Sequence, residues 1–273
     1  MTTIVNASIP GTEVHAITAH SIKQEYRISV ALPSSYAANP ERSYPTIYLP
    51  DAYFYFGMVT ELTRVMVLCG EFPETIVVGI GYPMHEPLDE VTKEVQRLRI
   101  RDLTPVPDAS YGSDGEQGGG APAFLTFIQS ELIPLIEREY RADSAARVLA
   151  GHSGGGLFAL YVLFHQPNLF AGYSVASPPV DWGNRVTLAY EAEFAEGRKS
   201  LPVKLYLGIG DHEDPDPTDS EFYRNFFQLI ECMESRRYEG LSLTKHIVEN
   251  CNHCASTAST FQAGLQAVLF QNE

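Results

Sequence analysis

Short apolar runs rich in β-branched residues recur along the chain, with longer amphipathic stretches between them. Seven such runs lie at residues 26–32, 46–49, 75–81, 147–150, 172–176, 203–208 and 243–248. Runs of this kind are typical of a parallel sheet covered by helices. The pattern therefore predicts the α/β class, with a mostly parallel central sheet and helices on both faces. Only turn signals separate the early strands, so we expect them to pair antiparallel at one edge.

The intervening stretches divide into two kinds. Phe124, Ile128, Leu132 and Leu135 recur at helical spacing and predict a helix that buries one stripe on the sheet. Residues 82–120 instead combine four prolines with a triple glycine and mixed charge. We therefore predict a single domain over residues 1–273, with a loop excursion at about 82–120 that covers a site above the sheet.

A glycine-rich turn follows the fourth predicted strand. Gly151, His152, Ser153, Gly154 and Gly155 stand between that strand and an apolar helical stretch, which is the order of a nucleophile elbow. Such a sharp turn leaves no room for side chains two residues before and two after the serine. The pattern predicts that Ser153 is a nucleophile at a helix N-terminus that favours negative charge. The alternative is a chance glycine-rich turn without chemistry.

A serine hydroxyl needs a base, and the base needs an acid to orient it. Among eight histidines, His253 is the one that follows the last predicted strand and precedes the last helical stretch, where the base of this arrangement belongs. Asp211 follows the strand at 203–208 and is the first choice of acid, with Glu213 as the alternative. His152 and His212 are assigned supporting or packing positions.

Charge and cysteine content limit the partners. The chain has 19 Lys and Arg against 34 Asp and Glu, a net charge of −15, which repels nucleic acid and anionic membranes. No apolar run reaches the roughly 18 residues of a membrane helix, and residues 1–19 do not have the pattern of a signal peptide. With four cysteines, expected as reduced thiols, we predict a cytoplasmic protein.

Two groups of residues could suggest a metal. Cys251 and Cys254 have a zinc-like spacing, but there is no second cysteine pair to complete a tetrahedral site. The acidic run at 211–219 offers oxygen ligands for calcium, but its prolines favour a solvated loop. We therefore expect no metal and no cofactor.

Several motifs together resemble the family of α/β hydrolases known as putative esterases, in particular the branch of enterobactin and salmochelin trilactone esterases. The motifs lie at residues 48–52, 79–83, 101–105, 118–120, 151–155, 177–178 and 252–253 and span most of the chain. The resemblance implies an oxyanion hole made by the backbone N–H groups of Gly154 and Tyr53. It also identifies two departures, because family members usually have glycine at Ala52 and a larger residue at Gly154.

Two features of the sequence offer candidate substrate contacts. Three arginines, Arg97, Arg99 and Arg101, alternate with apolar residues. They could present one positive face to the substrate, with Arg101 as the candidate contact. The alternative is a strand-like surface segment whose arginines pair with nearby acids. The family's paired tryptophans after Ser177 and Pro178 are reduced here to Trp182, the second candidate contact.

These features predict a serine carboxylic-ester hydrolase that acts through an acyl-enzyme on a small or aromatic ester, a siderophore-type ester included. Acyl transfer or thioesterase action would use the same triad. A third alternative is an inactive hydrolase scaffold that serves as a binding module. The expected partner is a small-molecule ester, and a homo-oligomer is left open.

Overall fold

A computed structural model of the chain describes residues 8–83, 88–214 and 220–270. Within these ranges eight strands form one sheet in the order β1-β2-β4-β3-β5-β6-β7-β8. The strands are Thr12–Thr18 (β1), Glu25–Ala31 (β2), Tyr44–Pro50 (β3), Ile76–Gly81 (β4), Ala142–His152 (β5), Gly172–Ala176 (β6), Lys204–Gly210 (β7) and Ser242–Val248 (β8). β2 pairs antiparallel with β1 and β4, and all other pairs are parallel. The mostly parallel sheet and an antiparallel edge are confirmed, but the pairing expected between the two early strands was wrong, because β2 pairs with β1 and β4 and not with β3.

Nine helices surround the sheet in the part of the chain that the structure describes. They are Ala52–Leu68 (α1), Leu88–Leu103 (α2), Gly112–Gly115 (α3), Ala121–Phe127 (α4), Ile133–Glu139 (α5), Gly154–His165 (α6), Trp182–Gly197 (α7), Glu221–Arg236 (α8) and Thr257–Leu269 (α9). The helix predicted around Phe124 is divided by a π-helical turn, Ile128–Leu132, ahead of Pro134. Since proline has no N–H to donate, the regular hydrogen-bond ladder cannot continue through it. No helix in the described ranges is long and apolar enough to cross a membrane.

Two apolar cores cover the two faces of the sheet. Successive side chains of a strand point to opposite faces, and accordingly Tyr48 packs in one core while its neighbours Ile47 and Leu49 pack in the other. The first core holds Phe158 of α6, and the second holds Phe261 of α9. Both faces of the sheet are therefore closed by helices, which leaves the carboxyl ends of the parallel strands as the edge where a site can form.

The predicted loop at 82–120 contains a helix of 16 residues, α2. Val91, Val95 and Leu98 of α2 are at most 4% exposed and recur at helical spacing. The flanking prolines and glycines concealed this spacing in the sequence. The interpretation of Arg97, Arg99 and Arg101 as a strand-like segment was wrong, because the helix turns the three side chains to different surroundings.

Candidate active site

Ser153 occupies the turn between β5 and α6. Its backbone has φ 55° and ψ −122°, a conformation that side-chain-bearing residues rarely adopt and that is characteristic of functional sites. The turn is fixed by hydrogen bonds from the Ser153 N–H to the Ala176 carbonyl (2.9 Å) and from the Leu157 N–H to the Ser153 carbonyl (3.0 Å). Within residues 8–83, 88–214 and 220–270, the Ser153 hydroxyl has no hydrogen-bond partner. It is therefore free to meet a substrate.

The glycines of the elbow have unequal roles. A Cβ on Gly151 would lie 2.3 Å from the backbone carbonyl of Gly155, a contact that the turn cannot accommodate. A Cβ on Gly155 would meet nothing nearer than 3.5 Å. A Cβ on Gly156 would lie 2.8 Å from the Ala176 carbonyl oxygen. The turn therefore requires glycine at positions 151 and 156, where a Cβ would collide with the backbone. The expectation that Gly155 lacks room for a side chain was wrong.

His253 lies beside the elbow in the segment between β8 and α9. Its ring centroid is 4.7 Å from that of His152, the residue before Ser153. Its Nδ1 is 2.7 Å from Oε2 of Glu213. The His253 side chain is 37% exposed and the Glu213 side chain 1% exposed. The buried Glu213 carboxylate thus binds Nδ1 of the accessible His253 imidazole, as the acid of a triad does.

The other oxygen of Glu213 is held by three donors. Oε1 accepts hydrogen bonds from the Ser177 hydroxyl (2.5 Å), the Gly210 N–H (2.7 Å) and the Ser256 hydroxyl (3.2 Å). Burial raises the pKa of Glu213, but the hydrogen bonds from His253, Ser177 and Gly210 outweigh burial and leave that pKa below its usual value. Glu213 is therefore an ionised acceptor whose Oε2 is left to His253.

Asp211, the first choice of acid from the sequence, faces a different set of groups. Its Oδ1 is 2.7 Å from Nδ1 of His212 and accepts a hydrogen bond from the Cys251 N–H at 3.1 Å. The His212 side chain is 62% exposed. Asp211 thus fixes the backbone ahead of His253, whereas the imidazole itself is bonded by Glu213, the alternative acid.

His152 contacts the backbone of His253. Its Nε2 is 3.0 Å from the His253 carbonyl oxygen, and its Nδ1 is 3.4 Å from the Tyr55 hydroxyl of α1. Burial, and then the nearby His253, lower the pKa of His152 to about 4. A neutral His152 can donate through Nε2–H, so this side chain links the elbow to the segment that carries His253.

The N-termini of α1 and α6 lie close together, since a Cβ on Gly155 of α6 would be 3.5 Å from the carboxylate of Asp51, the residue before α1. Gly154 begins α6, and Tyr53 is the second residue of α1. The first N–H groups of a helix have no intrahelical acceptor and favour negative charge. The Tyr53 hydroxyl is 3.0 Å from the Thr92 hydroxyl, which ties α1 to α2. These are the two residues that the sequence analysis named for an oxyanion hole.

Sequence reasoning named Arg99 as one of three alternating arginines but did not select it, although its guanidinium lies beside Gly154 of the elbow. Its Nε and Nη2 bind the two oxygens of Asp51 at 2.7 and 2.6 Å. Burial lowers the pKa of Arg99, but the Asp51 carboxylate outweighs burial and raises that pKa above its usual value. A helical projection of residues 88–103 would have separated Arg99 from Arg97 and Arg101, had the helix been predicted.

The structure does not bring Arg101 to the elbow. The Arg101 guanidinium binds Asp102 at 2.6 and 3.0 Å and the Gln24 side chain at 3.2 Å. Asp102 also accepts hydrogen bonds from the hydroxyls of Tyr26 (2.7 Å) and Tyr82 (3.0 Å). Arg101 thus belongs to a buried polar network that joins α2 to the sheet, and its selection as a substrate contact has no support in this geometry.

Trp182 is also engaged in packing. It is 4% exposed, its Nε1 donates to the Val106 carbonyl at 2.8 Å, and its ring lies 4.4 Å from that of Tyr111. This leaves almost no surface for a substrate. Trp182 anchors the segment after α2 to the start of α7, and its selection as a substrate contact has no geometric support.

The two cysteines around His253 are free thiols. The Cys251 carbonyl accepts from the His212 N–H at 3.0 Å, and the Cys254 N–H donates to the Asn252 side chain at 3.1 Å. No group of three or more His, Cys, Asp or Glu side chains suited to a metal ion occurs among the residues with described positions. The cysteines serve the turn that presents His253 through their backbone groups.

Comparison with known proteins gives one consistent result. Residues 19–267 match the protein family described as "Putative esterase". The ferri-bacillibactin esterase of Bacillus subtilis (strain 168) is 34% identical over 220 residues, which cover 76% of this chain and 72% of that protein. The crystal structure of the BES protein from Bacillus cereus matches with a TM-score of 0.84 and 25% identity, over 99% of this chain and 100% of that one. The siderophore hydrolase EstB from Aspergillus nidulans matches with a TM-score of 0.80 and 25% identity, over 97% of each chain. With its sheet order and its elbow, the chain belongs to this esterase family and is a carboxylic ester hydrolase with the α/β-hydrolase fold.

Proposed function

We propose that Ser153, His253 and Glu213 form the catalytic triad of this esterase. The observation that carries the proposal is the 2.7 Å contact between Nδ1 of His253 and the buried carboxylate of Glu213, beside the strained elbow of Ser153. An Nδ1–H that donates to Glu213 leaves Nε2 unprotonated, which is the form that can accept the serine proton.

The reaction follows from these positions. Ser153 Oγ attacks the ester carbonyl while its proton passes to His253, and the Gly154 and Tyr53 N–H groups stabilise the tetrahedral oxyanion. His253 then returns the proton to the departing alcohol, which leaves an acyl-enzyme on Ser153. Water, activated by the same histidine, hydrolyses the acyl-enzyme and releases the carboxylic acid.

The proposed substrate is a siderophore-type ester. This substrate class is supported by two similar proteins, one described as a ferri-bacillibactin esterase and the other as a siderophore hydrolase. The local surface agrees with an aromatic ester, because the Phe54 ring is 36% exposed and its centroid lies 6.0 Å from the Arg99 guanidinium carbon. A second ring, Phe222, lies 6.3 Å from His253. One aromatic ring thus lies beside Arg99, which contacts the elbow, and another lies beside His253.

A hydrolysis panel tests the proposal. It runs from short p-nitrophenyl esters through aromatic esters to a siderophore trilactone, with wild type, Ser153→Ala and the exposed control Ser235→Ala. We expect Ser153→Ala to lower kcat/KM by about 10⁴-fold or more on every ester that wild type hydrolyses. The control should match wild type, and the trilactone should have the highest kcat/KM. Full activity in Ser153→Ala would contradict the triad, and a trilactone left intact would contradict the substrate class.

A further inference from the structure

A buried ion pair lies against the elbow. The Arg99 side chain is 14% exposed and the Asp51 side chain 1% exposed. A Cβ on Gly154 would lie 3.1 Å from Nη2 of Arg99, and a Cβ on Gly155 would lie 3.5 Å from Oδ2 of Asp51. The pair therefore rests on the first turn of α6, next to Ser153. The absence of a side chain at Gly154 makes room for the guanidinium.

Asp51 stands at the N-cap of α1 but does not cap the helix with its side chain. An aspartate at this position ordinarily accepts a hydrogen bond from the second or third N–H of the helix, here Tyr53 or Phe54. The Phe54 and Tyr55 N–H groups instead donate to the Asp51 backbone carbonyl at 2.9 and 3.2 Å. The Tyr53 N–H is left for another acceptor.

The position of this carboxylate matters for the reaction. Were Asp51 to cap α1, it would occupy the Tyr53 N–H and place a negative charge where the oxyanion develops. Both effects would raise the barrier, because the oxyanion needs free donors and gains nothing from a neighbouring anion. The bidentate contact with Arg99 holds the carboxylate away from the helix N–H groups. The Asp51 backbone is accordingly left-handed, with φ 60° and ψ 35°, and does not have the extended conformation of a capping residue.

We propose that Arg99 is a positioning residue of the oxyanion hole, which keeps Asp51 from capping α1 and so keeps the Tyr53 N–H free. The inference rests on the proposed function of Ser153 and Tyr53. It assigns Arg99 an effect on kcat through Asp51 rather than through contact with the substrate.

The test uses three variants and a neutral p-nitrophenyl ester. We expect Arg99→Met to lower kcat by about 10²–10³-fold, the effect of losing one oxyanion donor, with little change in KM. Adding Asp51→Gly to Arg99→Met should restore kcat at least about tenfold, since glycine adopts positive φ freely and has no carboxylate to cap the helix. Arg97→Met is the matched control, because Arg97 is exposed and binds Glu94 on the same helix.

A double variant no more active than Arg99→Met, or a change confined to KM, would overturn the inference. Neither result affects the triad, which fails only if hydrolysis by wild type does not depend on Ser153. Should Arg99→Met not fold, Arg99→Lys replaces it, because lysine keeps a cation for Asp51 without the bidentate geometry. In that background Asp51→Gly should again raise kcat, and an unchanged or lower kcat would contradict the inference.

Discussion

The two oxygens of the Glu213 carboxylate have separate tasks. Oε1 is held by Ser177, Gly210 and Ser256, and Oε2 faces Nδ1 of His253. Because Oε1 is already supplied with donors, the carboxylate cannot rotate without losing hydrogen bonds in a buried place, which is costly. Glu213 thus fixes both the direction and the tautomer of the imidazole.

The choice between the two acidic residues gives the first prediction. Glu213→Gln should lower kcat by about 10²–10⁴-fold, since the amide cannot hold the productive tautomer or stabilise the imidazolium. Asp211→Asn should change kcat by less than about threefold, as expected for a partly exposed group outside the triad. Steady-state hydrolysis with both variants side by side decides the matter. A larger loss in Asp211→Asn would reassign the acid.

The second prediction concerns His152 and acid stability. Its pKa is lowered from 6.5 to about 4 in the folded protein. The unfolded chain therefore binds the proton more readily, and the stabilisation is complete above pH 6.5 and lost as the pH falls towards 4. The loss should be about 3 kcal/mol of unfolding free energy.

Urea unfolding between pH 7.5 and pH 4 measures this loss. His152→Gln should be less stable at pH 7.5, because the hydrogen bond to the His253 carbonyl weakens, yet show a smaller decline towards pH 4. Parallel curves for the two proteins would refute the assignment. Asp211→Asn serves as a control that leaves His152 in place.

Sequence order could narrow the acid to two residues but could not choose between them. Asp211 and Glu213 both follow β7, and both are carboxylates within reach of the loop that carries His253. The choice depends on Ser177 and Ser256, which lie 36 and 43 positions away in the chain and whose hydroxyls donate to Glu213 and not to Asp211. Such distant partners are a property of the folded structure.

At the level of elements, the elbow depends on the packing of β5 against the first turn of α6. Gly151→Ala should destabilise the protein by about 3 kcal/mol or more, because its Cβ meets backbone atoms that cannot move aside. Gly155→Ala should be neutral or stabilise the protein by up to about 1 kcal/mol, through the higher helix propensity of alanine. Thermal and urea unfolding of the pair measure the difference. Equal destabilisation by both substitutions would contradict the described geometry.

The elements that the sequence predicted well are those buried on both faces. β6 and β7 are buried apart from Lys204 at the start of β7, and they were located within two residues, since burial on both sides favours a nearly continuous hydrophobic run. β1 was missed because it is an edge strand whose residues are exposed or half-buried and often polar. α2 was missed because proline and glycine flank it, so residues 82–120 resembled a loop.

For the whole molecule, the net charge of −15 bears on the substrate. A negatively charged ester is repelled at long range, and salt screens this repulsion over a Debye length that falls from about 30 Å at 0.01 M to about 8 Å at 0.15 M. Raising NaCl over this range should increase kcat/KM for an anionic ester by about two- to tenfold. A neutral ester of similar size should be unaffected, and a decrease for the anionic ester would show that local positive charge outweighs the global field.

Active-site labelling tests whether Ser153 is the activated nucleophile. Native protein is treated with a fluorophosphonate, and the modified peptide is located by mass spectrometry, with Ser153→Ala and Glu213→Gln treated in parallel. We expect one label per chain at Ser153, slower labelling in Glu213→Gln and none in Ser153→Ala. Native protein that stays unlabelled, or that is labelled at another residue, would show that Ser153 is not the nucleophile.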